Sequence, residues 1–203
     1  MSVQDADGAY RRHFYLDVAA TYAAHLSCWL AEYGDAFGDS AALASAERHL
    51  DWVLARQDKA TGWFDLAGFT EDQHRDRNAY THTIAYTVAG VLTTSLILKR
   101  EDGIAAARQA AEGIMRRLEL SRRLPGVLDW RWREVEHPQC LTGNAQMALI
   151  WFALTRHDGD WRFANAGFKA LDLVKHAQLR DNANPGLAGG IGLDPTLQAF
   201  LLG

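Results

Sequence analysis

Cysteine is scarce in this chain, and the scarcity decides several questions before any motif is sought. Two cysteines, Cys28 and Cys140, among 203 residues cannot build a disulfide framework, nor by themselves a structural zinc site. Reduced thiols are the simpler reading, and neither a metal nor a cofactor is expected. An excess of positive charge is lacking too: 21 Lys and Arg against 25 Asp and Glu leave a formal charge of -4. Both signs are mixed along the chain, so there is no basic stripe and nucleic acid is a poor partner. No uncharged stretch is expected to approach the roughly 18 apolar residues that cross a bilayer. Residues 1–8 are polar and acidic, where a signal peptide needs a cationic start and an apolar run. These absences predict a soluble, cytoplasmic protein with no membrane span. What is present, 48% hydrophobic and 23% charged residues, suffices for one substantial core, and a single domain over residues 1–203 is expected.

The strongest positive signal is an internal repeat. Leu50, Asp51, Val53 and Gln57 are matched at identical spacing by Leu171, Asp172, Val174 and Gln178, with Ala111, Glu112, Ile114 and Leu118 between them. The shift is about sixty residues each time. Around these positions apolar residues recur at three and four, as in Leu43, Ala46, Leu50 and Val53, or Ile104, Ala107, Ala111, Ile114 and Leu118. That stripe predicts an amphipathic helix. Each such helix follows a Gly/Asp turn (Gly34 to Asp39, Asp102 with Gly103, Asp158 to Asp160) and, before the turn, a more apolar helix. The apolar partners are expected at Arg12 to Tyr33, Asn78 to Leu98 and Leu141 to Arg156.

The unit is therefore a helical hairpin, present about three times. After each outer helix comes a glycine-containing loop: Gly62 before Trp63 and Phe64, Gly126 before Trp130 and Trp132, then Gly186, Gly189 and Gly190. Hairpins that cannot bury their apolar faces alone stack on their neighbours. The fold class expected is all-α, a partial α/α toroid whose loops share one end. Beyond Gly190 the apolar residues Leu197, Phe200, Leu201 and Leu202 imply a capping partner, a truncated frame, or a tail packed over the third hairpin, since terminal repeats need a polar outer face.

Two strings carry a family resemblance. Ala79-Tyr80-Thr81-His82-Thr83-Ile84-Ala85-Tyr86 and Cys140-Leu141-Thr142-Gly143-Asn144-Ala145-Gln146-Met147-Ala148 resemble segments of bacterial α/α-toroid proteins. That superfamily is shared by prenyltransferase and squalene-cyclase repeats and, more distantly, by six-hairpin glycosidases. The likeness spans residues 10 to 191 and is greatest to members associated with polysaccharide or glycan biosynthesis. In such relatives the counterpart of Gly189, Gly190 and Ile191 leads to another inner helix, whereas here the pattern stops at Gly192, so the resemblance implies an incomplete array.

Chemistry is sought where polar residues open the inner helices. His82, beside Tyr80 and four residues before Tyr86, is the catalytic candidate, since an imidazole titrating near neutrality serves as acid or base; the competing reading is a histidine bonded to a neighbouring loop. Asn144 and Gln146 open the third inner helix, where amides suit sugar hydroxyls or Asn144 merely caps. Trp63 and Trp130 offer flat faces for a sugar ring or act as wedges between repeats. Asp65 is the candidate rim carboxylate, because a glycosidase needs two at a set separation. Glu71 to Arg77 reads as a solvated loop. The acidic DxDD motif of polyene cyclases is missing, which weakens an isoprenoid-binding reading.

The function expected is that of a carbohydrate-active or glycan-associated protein with a saccharide ligand and an unspecified reaction. The alternative is a non-catalytic helical-repeat module, or a fragment, that binds a protein partner or a second copy at its open C-terminal edge.

Overall fold

A computed structural model describes residues 3–13, 15–180 and 184–192. The apolar tail from Leu197 to Leu202 lies outside the described residues. Three helical hairpins follow one another: α1 (Ala24–Phe37) with α2 (Ser40–Leu54), α4 (Thr81–Leu98) with α5 (Glu101–Ser121), and α6 (Leu141–Asp158) with α7 (Trp161–His176). A short α3 (Glu71–Arg75) and three strands, β1 (Asn78–Tyr80), β2 (Pro125–Asp129) and β3 (Glu134–Gln139), occupy the connections.

Local chemistry sets the hairpin turns. Asp39 and Asp160 cap α2 and α7 by accepting backbone N–H bonds from their first turns, and Gly38 and Gly159 end α1 and α6 in the left-handed region. The middle turn differs from expectation. Lys99 takes the left-handed position, with φ 56°, and Asp102 and Gly103 lie inside α5. Gly103 is small for a different reason: a Cβ there would collide with Ser95. The first inner helix is also shorter than its apolar run implied, beginning at Ala24 after a 3-10 turn at Thr21–Ala23.

The hairpins stack through their inner helices. α4 packs between α1 and α6 far more extensively than the outer helices α2, α5 and α7 touch one another, so the array bends around its inner layer. Two glycines permit the approach. A Cβ at Gly90 would run into the backbone of Ala24, and one at Gly143 would sit 2.9 Å from the backbone nitrogen of His82. Charge ties the outer layer instead: Arg100 reaches Glu47 and Asp51 of the preceding hairpin, and Arg108 reaches Asp158 and Asp160 of the following one. The repeated Gln57 donates to the carbonyl of Ala106 at 2.8 Å, while its counterpart Gln178 donates to Gly189 at 3.0 Å.

Two expectations need correction. α4 is free of charged residues over 18 positions and is long and apolar enough to cross a membrane by length and composition; most of it is instead buried by α1, α5 and α6, as befits the central core helix of a layered bundle. The middle connection is an antiparallel sheet of order β1-β2-β3, not a glycine loop. With Asn78 opposite Asp129 and Tyr80 opposite Val127, the sheet clamps the start of α4 to the first part of the connection after α5. Strands of three to six residues are too short to show an alternating pattern.

The helix packing makes a sign test. Gly→Ala in an exposed helix gains about 1 kcal/mol, whereas Gly90→Ala is expected to lose about 1–3 kcal/mol in urea unfolding, because the methyl group must push α1 off α4. An unchanged or higher midpoint contradicts the close packing.

Candidate functional site

The inner helices are pinned at their N-terminal ends by the same device. Thr21 donates its hydroxyl to the carbonyl of Asp65 at 3.0 Å, and Thr81 donates to that of Pro125; both carbonyls lie 44 residues further on. Thr142 holds the corresponding place in the third hairpin and is exposed. This register puts His25 four residues after Thr21 and Gln146 four after Thr142, about one helical turn into their helices.

A ring cluster gathers there. His25 stacks on Tyr86 with centroids 4.3 Å apart and planes 14° apart, and His82 meets the same Tyr86 edge-on at 4.7 Å. Trp29 stands edge-on to His25 at 5.8 Å, and Phe69, from the loop before α3, lies 5.7 Å from His82. Burial pushes the pKa of both histidines below the ordinary value of 6.5, and His82 is lowered further by the nearby His25. The Nδ1 atoms of His25 and His82 are buried without a protein hydrogen-bond partner among the described residues, as are Oε1 of Gln146 and Oδ1 of Asn144. An unpaired buried polar group costs about 1–3 kcal/mol, and these four belong to adjoining inner helices.

A groove of about 190 Å³ runs beside the cluster, with His25, Tyr86, Ala89, Thr93, Gln146 and Leu149 among its walls. Of the expected site residues, then, the structure brings together His82, Tyr86 and Gln146, with Tyr80 joined through Phe69 at 5.9 Å. The others lie elsewhere. Asn144 is fully buried and donates to the carbonyl of Cys140 at 3.2 Å. Trp63 is 1% exposed and meets Trp132 edge-on at 5.3 Å. Trp132 in turn covers Gly113 of α5 and donates to the carbonyl of Thr61 at 2.8 Å. The pair wedges the first loop against the second hairpin. Asp65 is held by Arg77 at 2.8 Å, and Arg77 also pairs with Asp58 and lies over the ring of Trp130.

His25, Trp29 and Phe69 were not among the expected residues. The threonines at 21, 81 and 142 align His25 with Ala85 and Gln146, but its stacking on Tyr86 comes from the packing of α1 against α4. Phe69 had no sequence signal, because only the path of the loop brings it to His82. No metal-binding cluster of His, Cys, Asp or Glu occurs among the described residues. Cys140 is buried, its thiol pKa raised by that burial, and its sulfur accepts from the backbone nitrogen of Gly143 at 3.3 Å.

No family model and no curated protein matches the amino-acid sequence. Solved structures do match the fold. A sugar epimerase from a ruminal bacterium superposes with a TM-score of 0.67 at 14% identity, over 87% of this chain and 51% of its own. Cellobiose 2-epimerase from Bacillus thermoamylovorans B4167 gives 0.65 at 10% identity, over 80% of this chain and 42% of its own. A polysaccharide lyase gives 0.67 at 11% identity, over 94% and 56%. These are α/α toroids, and the chain shares that fold in part, through its three hairpins, as its hairpin repeat implied. It spans about half the length of the structures it matches.

The two tryptophans should separate by stability. Trp63→Ala is expected to cost about 3–5 kcal/mol in chemical unfolding, and Trp130→Ala, whose contacts are half-exposed cation–π pairs, about 1 kcal/mol or less. Full stability in Trp63→Ala would remove the wedge assignment.

Proposed function

We propose that this half-length α/α toroid binds a carbohydrate on its inner face and carries out proton-transfer chemistry there, with His82 as the acid–base residue. The observation that carries the reading is the His25–Tyr86–His82 stack, in which two desolvated imidazoles flank one phenol and each keeps a buried Nδ1 without a protein partner. A general base must be neutral to accept a proton at working pH. Burial does that here by opposing the imidazolium form. Tyr86, between the rings, orients both and supplies a phenolic group to the same space, and the amide of Gln146 can bond a ligand hydroxyl in the adjoining groove.

The neighbours in fold, two sugar epimerases and a polysaccharide lyase, support carbohydrate as the ligand class. Epimerisation beside a carbonyl requires one group to take a proton from carbon and another to return it, and a histidine pair meets that need. Asp65 is assigned to holding Arg77 rather than to catalysis, because its carboxylate is occupied by the guanidinium.

Solvent-deuterium incorporation into reducing mono- and oligosaccharides, followed by NMR, tests the reading. His82→Asn is expected to lower the rate by about a hundredfold or more. The sign of the pH dependence follows from the neutral form being the base. The acid limb of the activity should lie at lower pH than an ordinary imidazole of pKa 6.5 would give, since burial lowers both folded-state values. His25→Asn removes the neighbouring ring that helps depress His82 and should move this acid limb to higher pH. Saccharide binding and exchange unaltered by His82→Asn would remove the residue from the site.

A further inference from the structure

Phe69 connects the histidine cluster to a larger space. With Thr70, Gln73 and Tyr80 it lines a cavity of about 540 Å³, against about 190 Å³ for the groove beside His25 and Tyr86. Small-molecule sites occupy roughly 300–1,000 Å³, so the groove alone is undersized and the Phe69 cavity supplies the missing room. The ring of Phe69 lies 5.7 Å from His82 on one contact and 5.9 Å from Tyr80 on another, and His82 in turn meets Tyr86 of the groove wall at 4.7 Å, so the ring series Phe69, His82, Tyr86 links the two spaces.

The walls are built before any ligand arrives. Thr70 caps α3 by accepting from the nitrogen of Gln73 at 3.3 Å, and Oε1 of Gln73 accepts from the nitrogen of Phe69 at 2.7 Å. The loop is thus closed on itself, with Phe69 further held edge-on by Tyr22 at 5.3 Å. Nε2 of Gln73 remains as a donor, beside the aromatic faces of Phe69 and of the exposed Tyr80. Such preorganisation reduces the ordering cost of binding. Among the described residues, none of those lining the cavity carries a formal charge, and His25 and Tyr86 are the titratable ones lining the groove. Arg77, twelve residues from Asp65 in sequence, is engaged with Asp58 and Asp65.

From this geometry we infer that the Phe69–Tyr80 cavity is a second sugar subsite continuous with the histidine cluster, so that the ligand is a neutral oligosaccharide of at least two rings. Flat apolar faces meet the C–H face of a pyranose, the amide and hydroxyls meet its rim, and the described lining residues offer no cation to a uronate. This inference rests on the carbohydrate reading given above.

Calorimetric titration of the chain with glucose, mannose and galactose, with their di- to tetrasaccharides, and with trigalacturonate tests it. Affinity is expected to rise from one sugar unit to two or three and to be weakest for the uronate. Tyr80→Ala, which removes an exposed ring, and Phe69→Leu, which keeps bulk but loses the flat face, should each weaken tetrasaccharide binding roughly five- to tenfold. Monosaccharide binding should change less than about twofold in both. Equal affinity for all lengths, a preference for trigalacturonate, or insensitivity of the tetrasaccharide to both substitutions overturns the subsite while leaving a sugar-binding mouth. No binding by any of these sugars overturns the carbohydrate reading and the subsite together.

Discussion

Everything in this molecule depends on how closely the inner helices lie. α1 touches α4 at Gly90 and α4 touches α6 at Gly143, places where a single methyl group would strike backbone. Close-packed interiors do not absorb such an intrusion without moving an element. With the inner layer in tight contact and the outer helices linked mainly by arginine–carboxylate pairs such as Arg100 with Asp51, the array curves around the inner layer. That packing brings faces of α1, α4 and α6 together around one groove.

The candidate site is a product of the same packing. His25 belongs to α1 and His82 to α4, and they share Tyr86 because the two helices are in contact along this stretch. Burial that suits a core is poor for imidazolium, so the pKa of both histidines is lowered. The connections contribute differently. The sheet β1-β2-β3 and the threonine bonds to the carbonyls of Asp65 and Pro125 set where each inner helix begins. They thereby fix the height of His82 in the mouth. The loop after α2 divides its work, with Trp63 entering the core as a wedge and Phe69 turned to the histidines.

Aromatic residues show best what the sequence conveyed and what it did not. Trp63, Trp130, Tyr80 and Tyr86 all had the composition of a sugar-binding platform, and only the last two lie with His82. A tryptophan that wedges repeats and one that stacks a ligand have the same neighbours in sequence, a glycine before and polar residues after, because both need a turn to escape the helix. Asp65 looked like a free rim carboxylate for a similar reason: its partner Arg77 is twelve residues away, outside any local pattern. Asn144 and Gln146 are two residues apart on one helix and so project some 200° apart, which buries the first and leaves the second in the groove.

By itself the sequence determined the three hairpins, their inner and outer assignment, and the α/α-toroid class, because a sixty-residue repeat with helical spacing leaves few ways to bury its apolar faces. It also marked His82 at the head of the central helix. Only the tertiary structure decided that His25 and Phe69 join it, that Trp63 and Asp65 serve the frame, and that short strands clamp the middle connection. Those outcomes depend on contacts between residues dozens of positions apart, set by the crossing of helices and the path of loops, and local periodicity carries no record of either.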